Sequence, residues 1–315
     1  MLIVNSVFLI LAILIAGFLI ERVWLKNKEF WASINKLVYY IFFPSLIVYD
    51  VAQAEIVYSD SGFIIILITL VFILLFFLRL FKFLFKDKKF WIVFVQGSFR
   101  YNSYVFIGIS VSYFQPSEVM PIIAIITATM IFLANVIGLI MLNEANPENK
   151  QSLSKMIGSL LKNPLIIACF LGFALNIVGK NFPLILHITL LNEVLSSFSS
   201  ASIVLSIMAV GASIQLNIDM HKIIGIINCS IVKLIIFPIM TVIALSFFRF
   251  DKTLVEVCML YAAAPASTSA YSMVYLLKGD HESMGNIISF QTIFCIITIP
   301  ILLLTFPYLF ELFSS

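Results

Sequence analysis

Charge is what this chain has least of. Only 11% of its 315 residues are Asp, Glu, Lys or Arg, against roughly 25% in a soluble domain whose surface must face water. The shortfall runs from end to end and leaves no room for a sizeable soluble domain. Cysteine and histidine are scarce as well. Cys169, Cys229, Cys258 and Cys295 stand singly inside apolar stretches, and His187, His221 and His281 each fall near a segment end. No pair has metal-ligand spacing, and a disulfide framework would need its cysteines in loops, so the cysteines read as small apolar packing residues. There is no HExxH pair and no glycine-rich phosphate cradle. Neither a metal nor a cofactor is expected.

What fills the chain is hydrocarbon, at 62% of residues. Apolar runs of 18 or more residues recur, each long enough to cross a bilayer core of roughly 30 Å. Ten spans are expected, at roughly 2–20, 33–52, 62–83, 90–114, 117–142, 163–181, 190–215, 221–248, 253–277 and 284–312. The first run lacks a basic segment before it, and Arg22, Lys26 and Lys28 follow it. That order suits a retained helix rather than a signal peptide.

Charge placement then orients the spans. The loops after spans 1, 3, 5, 7 and 9 hold Arg22, Lys26, Lys28, Lys36, Lys82, Lys86, Lys88, Lys89, Lys150, Lys155, Lys162, Lys222 and Lys278. The opposite loops hold Lys180, Arg249 and Lys252. By the positive-inside rule the first set is cytoplasmic, and both termini lie outside a cell membrane. The net charge of +3 is thus a topology signal, and no nucleic-acid partner is expected.

A shift of about 160 residues lays each of the first five spans on one of the last five. Phe8 and Leu9 fall on Phe170 and Leu171, and Gly17 falls on Gly179. An odd number of spans per half forces the halves into opposite orientations. The expected fold is therefore an all-α integral membrane protein of ten transmembrane helices in two inverted repeats of five. These are 1–142 and 163–315, joined by a cytoplasmic connector at 143–162. Transporters built this way place their site near the midplane, where the repeats meet.

The fourth span of each half carries the polarity. Span 4 holds Gln96, Arg100, Asn102 and Ser103 at its centre, and span 9 holds Pro265 followed by Ser267, Thr268 and Ser269. Pro265 removes a backbone donor and clashes with the preceding turn, so span 9 is expected to break there. A break at membrane depth survives only where it is buried in protein or lines a wet cavity. Arg100, Asn102, Ser103, Pro265, Ser267 and Thr268 are accordingly the expected substrate-binding residues. For Arg100 two readings stay open. Its planar fork suits a substrate carboxylate, or its charge offsets the negative C-terminal end of a broken half-helix. Lys233 is the other cation within a span and reads as charge compensation at a break. Asn135 and Gln291 read as interhelical hydrogen-bonding support.

Other residues bear on other functions. Tyr49-Asp50 and Gly279-Asp280 superficially suggest the paired aspartates of intramembrane proteases. The expected topology sets those carboxylates at opposite membrane faces, where they cannot share a proton, so no enzyme is expected. A channel stays open as an alternative, although no ring or repeated filter segment appears. So does a cation-coupled transporter of the bile-acid-symporter type. The partners expected are a small organic anion, the lipid bilayer and, in a homodimer, a second copy of the chain.

Several stretches carry a family likeness. FRYNSYVFIGIS, the NP opening of span 6, MAVGASI, APASTSAYSMVYLLKGD, QTIFCIITIP and FFPSLIV resemble bacterial members of the auxin efflux carrier family, relatives of the plant PIN auxin exporters. The resemblance implies ten spans in two inverted repeats, with broken crossover helices 4 and 9 beside the site. It also implies transport of small organic anions such as dicarboxylates or auxin-like acids. On that pattern the crossover asparagine corresponds to Asn102 and the span 9 proline to Pro265. The chain lacks the plant carriers' long hydrophilic loop and has Tyr101 where they have a proline, so an auxin substrate does not carry over.

Overall fold

The computed structural model describes residues 2–54, 62–145, 161–181, 189–214, 220–276 and 278–314, with 152, 154 and 158 besides. Among them every regular element is helical. Most of the expected 143–162 connector, with Lys150 and Lys155, lies outside the described residues, as does His187.

α1 (Leu2–Leu19) runs on into a π-helical turn at Ile20–Trp24. α2 (Lys28–Leu37) opens on Asn27, whose Oδ1 accepts the amides of Glu29 and Phe30 and so satisfies two otherwise unpaired donors. A π turn at Val38–Phe42 carries α2 into α3 (Phe43–Gln53), which has Pro44 in its first turn. The same device returns at Val232–Ile236, between α10 (Ile223–Ile231) and α11 (Phe237–Phe247), where Pro238 follows. A proline cannot donate to the turn before it and crowds that turn, and a wider i→i+5 turn accommodates both effects. The remaining helices are α4 (Phe63–Leu80), α5 (Lys88–Phe99), α6 (Ser103–Tyr113), α7 (Pro116–Ala145), α8 (Pro164–Asn181), α9 (Thr189–Ala212), α12 (Lys252–Ala263), α13 (Thr268–Leu276) and α14 (His281–Ser314).

Six helical stretches among the described residues are long and apolar enough to cross a membrane. They are Lys28–Gln53, Phe63–Leu80, Pro116–Glu144, Asn192–Ala212, Ile223–Phe247 and His281–Ser314. Three of the other expected spans fall on helices that are too short. The stretches expected as spans 4 and 9 each hold two helices, α5 and α6 and then α12 and α13. A half of 12 residues covers only about 18 Å at 1.5 Å per residue, well under the thickness of a bilayer core. The apolar part of α8, Pro164–Gly179, is also short of full length.

The chain resolves into two compact units, each drawing on both halves of the sequence. The first comprises Met1–Tyr58, Ile107–Thr129 and Gly158–Ser213. In it α1 and α9 approach at backbone distance: a Cβ on Gly17 would collide with the backbone of Met208, and one on Gly211 with that of Leu14. Glycines permit this approach in a membrane, where dispersion and not hydrophobic exclusion drives helix pairing. Asn176 of α8 closes the end of α3, donating from Nδ2 to the carbonyls of Val51, Ala52 and Ala54 at 3.0, 3.1 and 2.7 Å.

The second unit comprises Ser59–Phe106, Met130–Ile157 and Ile214–Ser315. Here α5 is buried without interruption from Phe90 to Phe99, and α12 from Leu254 to Ala263. A helix covered on every face is central to its bundle. α4 is different, with Ile65, Phe72, Phe76 and Phe77 exposed. Such an apolar surface suits contact with lipid rather than water. The two central helices are the ones that lead into the breaks.

Candidate substrate site

α5 ends at Phe99, and the backbone leaves the helix at Arg100 with φ −68° and ψ 149°. Two residues later Asn102 starts α6, its Oδ1 accepting the amides of Tyr104 at 3.0 Å and Val105 at 3.4 Å. α12 ends at Ala263 and leaves the helix at Ala264 with φ −64° and ψ 137°, the extended conformation that a following proline demands. Ser267 then starts α13, its Oγ accepting the Ser269 amide at 3.2 Å. Each second half-helix is therefore capped by a polar side chain from inside the break.

The breaks are tied together. The Asn102 amide donates to the Pro265 carbonyl at 2.7 Å. Gln291 of α14 spans both: its Nε2 donates to the Gly97 carbonyl at the end of α5 at 3.1 Å, and its Oε1 accepts the Ala266 amide at 2.8 Å. Backbone groups freed by two interrupted helices thus find partners without water.

Arg100 is 2% exposed. Its Nη2 donates to Asn135 Oδ1 at 2.8 Å and Ser269 Oγ at 3.2 Å, and its Nη1 to the Ala134 carbonyl at 3.2 Å. Gln96 Oε1 and Met273 Sδ lie farther from Nη1, at 3.5 and 3.7 Å. Every one of these acceptors is neutral, so the guanidinium meets no counter-charge among the described residues. None of them is a carbonyl at the C-terminal end of α5 or α12. Gly138 makes the room, since a Cβ there would stand 2.8 Å from Nη1.

Lys233 is 0% exposed and sits in the π turn before α11, with Nζ 5.0 Å from the Phe237 ring centre and 5.6 Å from that of Tyr261. Tyr261 in turn meets Tyr101 edge-on at 4.7 Å. The π faces of these rings attract the ammonium, which has no hydrogen-bond acceptor among the described residues. Gln96 Nε2, Arg100 Nε, Asn102 Nδ2 and Lys233 Nζ have no hydrogen-bond partner among the described residues. All four are donors. Asn102 and Gln96 each direct their oxygen to a donor already described, which fixes which end of the amide is left over.

The structure brings together Arg100 with Asn135, Asn102 with Pro265, and Gln291 with both breaks. Ser103, Ser267 and Thr268 stand half-buried at the starts of α6 and α13. Sequence reading passed over Gly138 and Met273 and gave no binding role to Gln96 or Ser269. Gln96 lies one turn before Arg100 and was the one most open to detection. Cys229, expected as packing, is buried and also accepts from Gln291 Nε2 at 3.6 Å. Glu256, in the second turn of α12, is a buried carboxylate that the sequence gave no role.

Paired interruptions of buried helices, bridged to each other and lined with polar side chains, belong to the architecture of membrane transporters. The family model described as membrane transport protein matches residues 2–303. The chain belongs to that family, the auxin efflux carriers, a transporter family and not an enzyme family. No curated protein matches it.

Proposed function

We propose that the chain is a secondary transporter that carries a small organic anion, a carboxylate or dicarboxylate, across the cell membrane by alternating access. The observation that supports it is the surplus of buried donors. Arg100 holds a positive charge among neutral acceptors only, and donors on Gln96, Arg100 and Asn102 are left over beside the breaks. A cation costs at least about 2.5–3.5 kcal/mol at the centre of a bilayer on insertion scales, so an uncompensated one marks a function. A carboxylate brings the negative charge and the acceptor lone pairs that such a site lacks. Half-helices α6 and α13 also begin at the breaks, and their N-terminal ends carry partial positive charge. Arg100, Asn102, Ser103, Ser267 and Thr268 bind the anion in this reading, and Pro265 shapes the break that exposes them. Lys233 stands behind them as a second cation against the Phe237 and Tyr261 rings, and Asn135 and Gln291 hold Arg100 and the backbone in place.

In the same reading α5 with α6, and α12 with α13, each count as one span. With α1 and α8 this makes ten in two inverted repeats, with both termini outside. Single cysteines in the 143–162 connector of a cysteine-free chain should resist an impermeant thiol reagent on intact cells; labelling there reverses the orientation.

The substrate test is uptake into vesicles carrying the purified chain, with labelled mono- and dicarboxylates and imposed proton or sodium gradients. Saturable uptake of an organic anion is expected, lost in Arg100→Ala and Asn102→Ala protein that still folds. Normal uptake by folded Arg100→Ala would make the arginine a structural counter-charge. Saturable uptake of a cation, with no response to any organic anion, would defeat the proposal.

A further inference from the structure

Away from the breaks, the second unit contains a cavity of about 500 Å³ bounded by α4, α5 and α7 and the turn Lys82–Leu84. Its lining is graded along all three helices. On α4 the wall passes from Phe72 and Phe76 to Arg79 in the last turn. On α5 it starts at Lys88 in the first turn and continues to Trp91 and Val95. On α7 it passes from Ile137 and Met141 to Glu144 at the end. At 1.5 Å per residue the charged positions stand about 10 Å beyond the innermost apolar ones. One end of the cavity is therefore ionic, with Arg79, Lys82 and Lys88 set against the single carboxylate of Glu144. The other end is hydrocarbon. Phe72 and Phe76 are 52% and 62% exposed, which places that end on the lipid-facing side of α4.

A water-soluble anion gains nothing from the hydrocarbon wall, and a zwitterionic lipid gains little from an excess of cations. An anionic amphiphile uses both. Basic pockets between membrane helices near the interface suit charged lipid headgroups for this reason. Arginine and lysine reach such a headgroup by extending their stems along apolar surface. We infer that this cavity binds an anionic phospholipid, its phosphate held by Arg79, Lys82 and Lys88 and its upper acyl chain lying against Phe72, Phe76 and Trp91. The inference is independent of which substrate the breaks accept.

The test uses Trp91, which lines the cavity and is only 5% exposed. The full chain is reconstituted in phosphatidylcholine vesicles, and phosphatidylglycerol brominated on its acyl chains is titrated in. The part of the fluorescence quenching that disappears in Trp91→Phe reports the cavity. Brominated phosphatidylglycerol should quench at about a tenfold lower mole fraction than brominated phosphatidylcholine, and Arg79→Gln/Lys82→Gln/Lys88→Gln should abolish that preference. Lys26→Gln/Lys28→Gln/Lys36→Gln, which removes as many cations elsewhere, should keep it. If the triple cavity variant unfolds, Lys82→Gln alone, on an exposed turn, should still reduce the preference about threefold. Equal quenching by the two lipids in the parent, equal losses in both triple variants, or displacement of the lipid by millimolar inorganic phosphate would each overturn the inference.

Discussion

At the end of α5 the chain leaves the helix at Arg100, and at the end of α12 at Ala264, with φ and ψ alike to within 4° and 12°. The chemistry behind the two exits differs. Ala264 precedes Pro265, whose ring excludes helical geometry for the residue before it. Arg100 precedes Tyr101, and no local rule forbids the helix from continuing. There the exit is held from outside: Asn102 caps α6 and bonds across to Pro265, Gln291 takes the Gly97 carbonyl, and Tyr101 packs on Tyr261. One interruption is written into the backbone, and the other is imposed by neighbours. The imposed one carries the cation.

The largest effect expected from this difference falls on transport. Arg100→Ala should reduce uptake by at least about a hundredfold, since two or more charge-assisted hydrogen bonds go at about 1.5–3 kcal/mol each. Arg100→Lys should recover little, because a point charge cannot reproduce the fork. Circular dichroism and thermal unfolding in detergent would show whether either variant still folds.

Next comes the brace. Gln291→Leu strands the Gly97 carbonyl and the Ala266 amide in a buried setting, for a loss of about 2–5 kcal/mol in unfolding free energy. Gln291→Glu keeps the acceptor for Ala266 and loses the donor to Gly97, so it should fall between. An unchanged melting temperature in Gln291→Leu would mean that each break stands without the other.

Gly138→Ala sharpens the comparison from the Arg100 side. The new Cβ would meet Arg100 Nη1 at 2.8 Å and Gln96 Oε1 at 3.0 Å, displacing the guanidinium for about 1–3 kcal/mol. Uptake should fall further in Gly138→Ala than in Pro265→Ala, at the other break, where Arg100 keeps its place. Pro265→Ala itself should cost under about 1 kcal/mol. The amide that Pro265→Ala adds should exchange without the protection of an i→i−4 helical bond, because Gln291 and Asn102 still hold the gap. Protection of that amide would show that proline alone makes the second break.

The smallest effect lies outside the spans. Lys222 Nζ meets Asp280 Oδ2 at 2.7 Å, and Ser283 Oγ donates to the same oxygen at 2.7 Å. Burial pushes the Asp280 carboxyl up, but the hydrogen bonds from Lys222 and Ser283 and the lysine charge outweigh it and hold the carboxyl below its ordinary 3.8. A depressed folded value stabilises the protein above the unfolded pKa, and that benefit is lost as pH falls through the folded one. The parent should therefore exceed Asp280→Asn by up to about 1 kcal/mol at neutral pH. Thermal melts should converge below pH 3.8.

Legibility followed the range of the interaction. The interruption at Pro265 was readable to within a residue, because proline acts on its neighbour; at Asn102 the residues themselves showed only polar side chains in an apolar run, and the break there was implied by the family resemblance. Gln291 was read only as a generic interhelical donor, and its bond to Gly97 joins positions 194 apart. Ser269 and Met273 reach Arg100 across separations of 169 and 173. Neutral side chains of these kinds are common in membrane helices for packing alone, so nothing marked them. Gly138 was invisible for the opposite reason: its contribution is a missing side chain.

The sequence by itself determined that this is a helical, multi-pass membrane protein of a transporter family, and that one of its helices parts at Pro265. Those properties depend on run length, charge density and the fixed φ of proline, all of which act within a few residues. Only the tertiary structure decided that the first break would stay open without a proline, and that Arg100 would be enclosed by neutral acceptors with donors to spare. An isolated helix can end anywhere its amides find partners. Which partners arrive depends on how α5, α7, α12, α13 and α14 pack, and no periodicity along the chain encodes that.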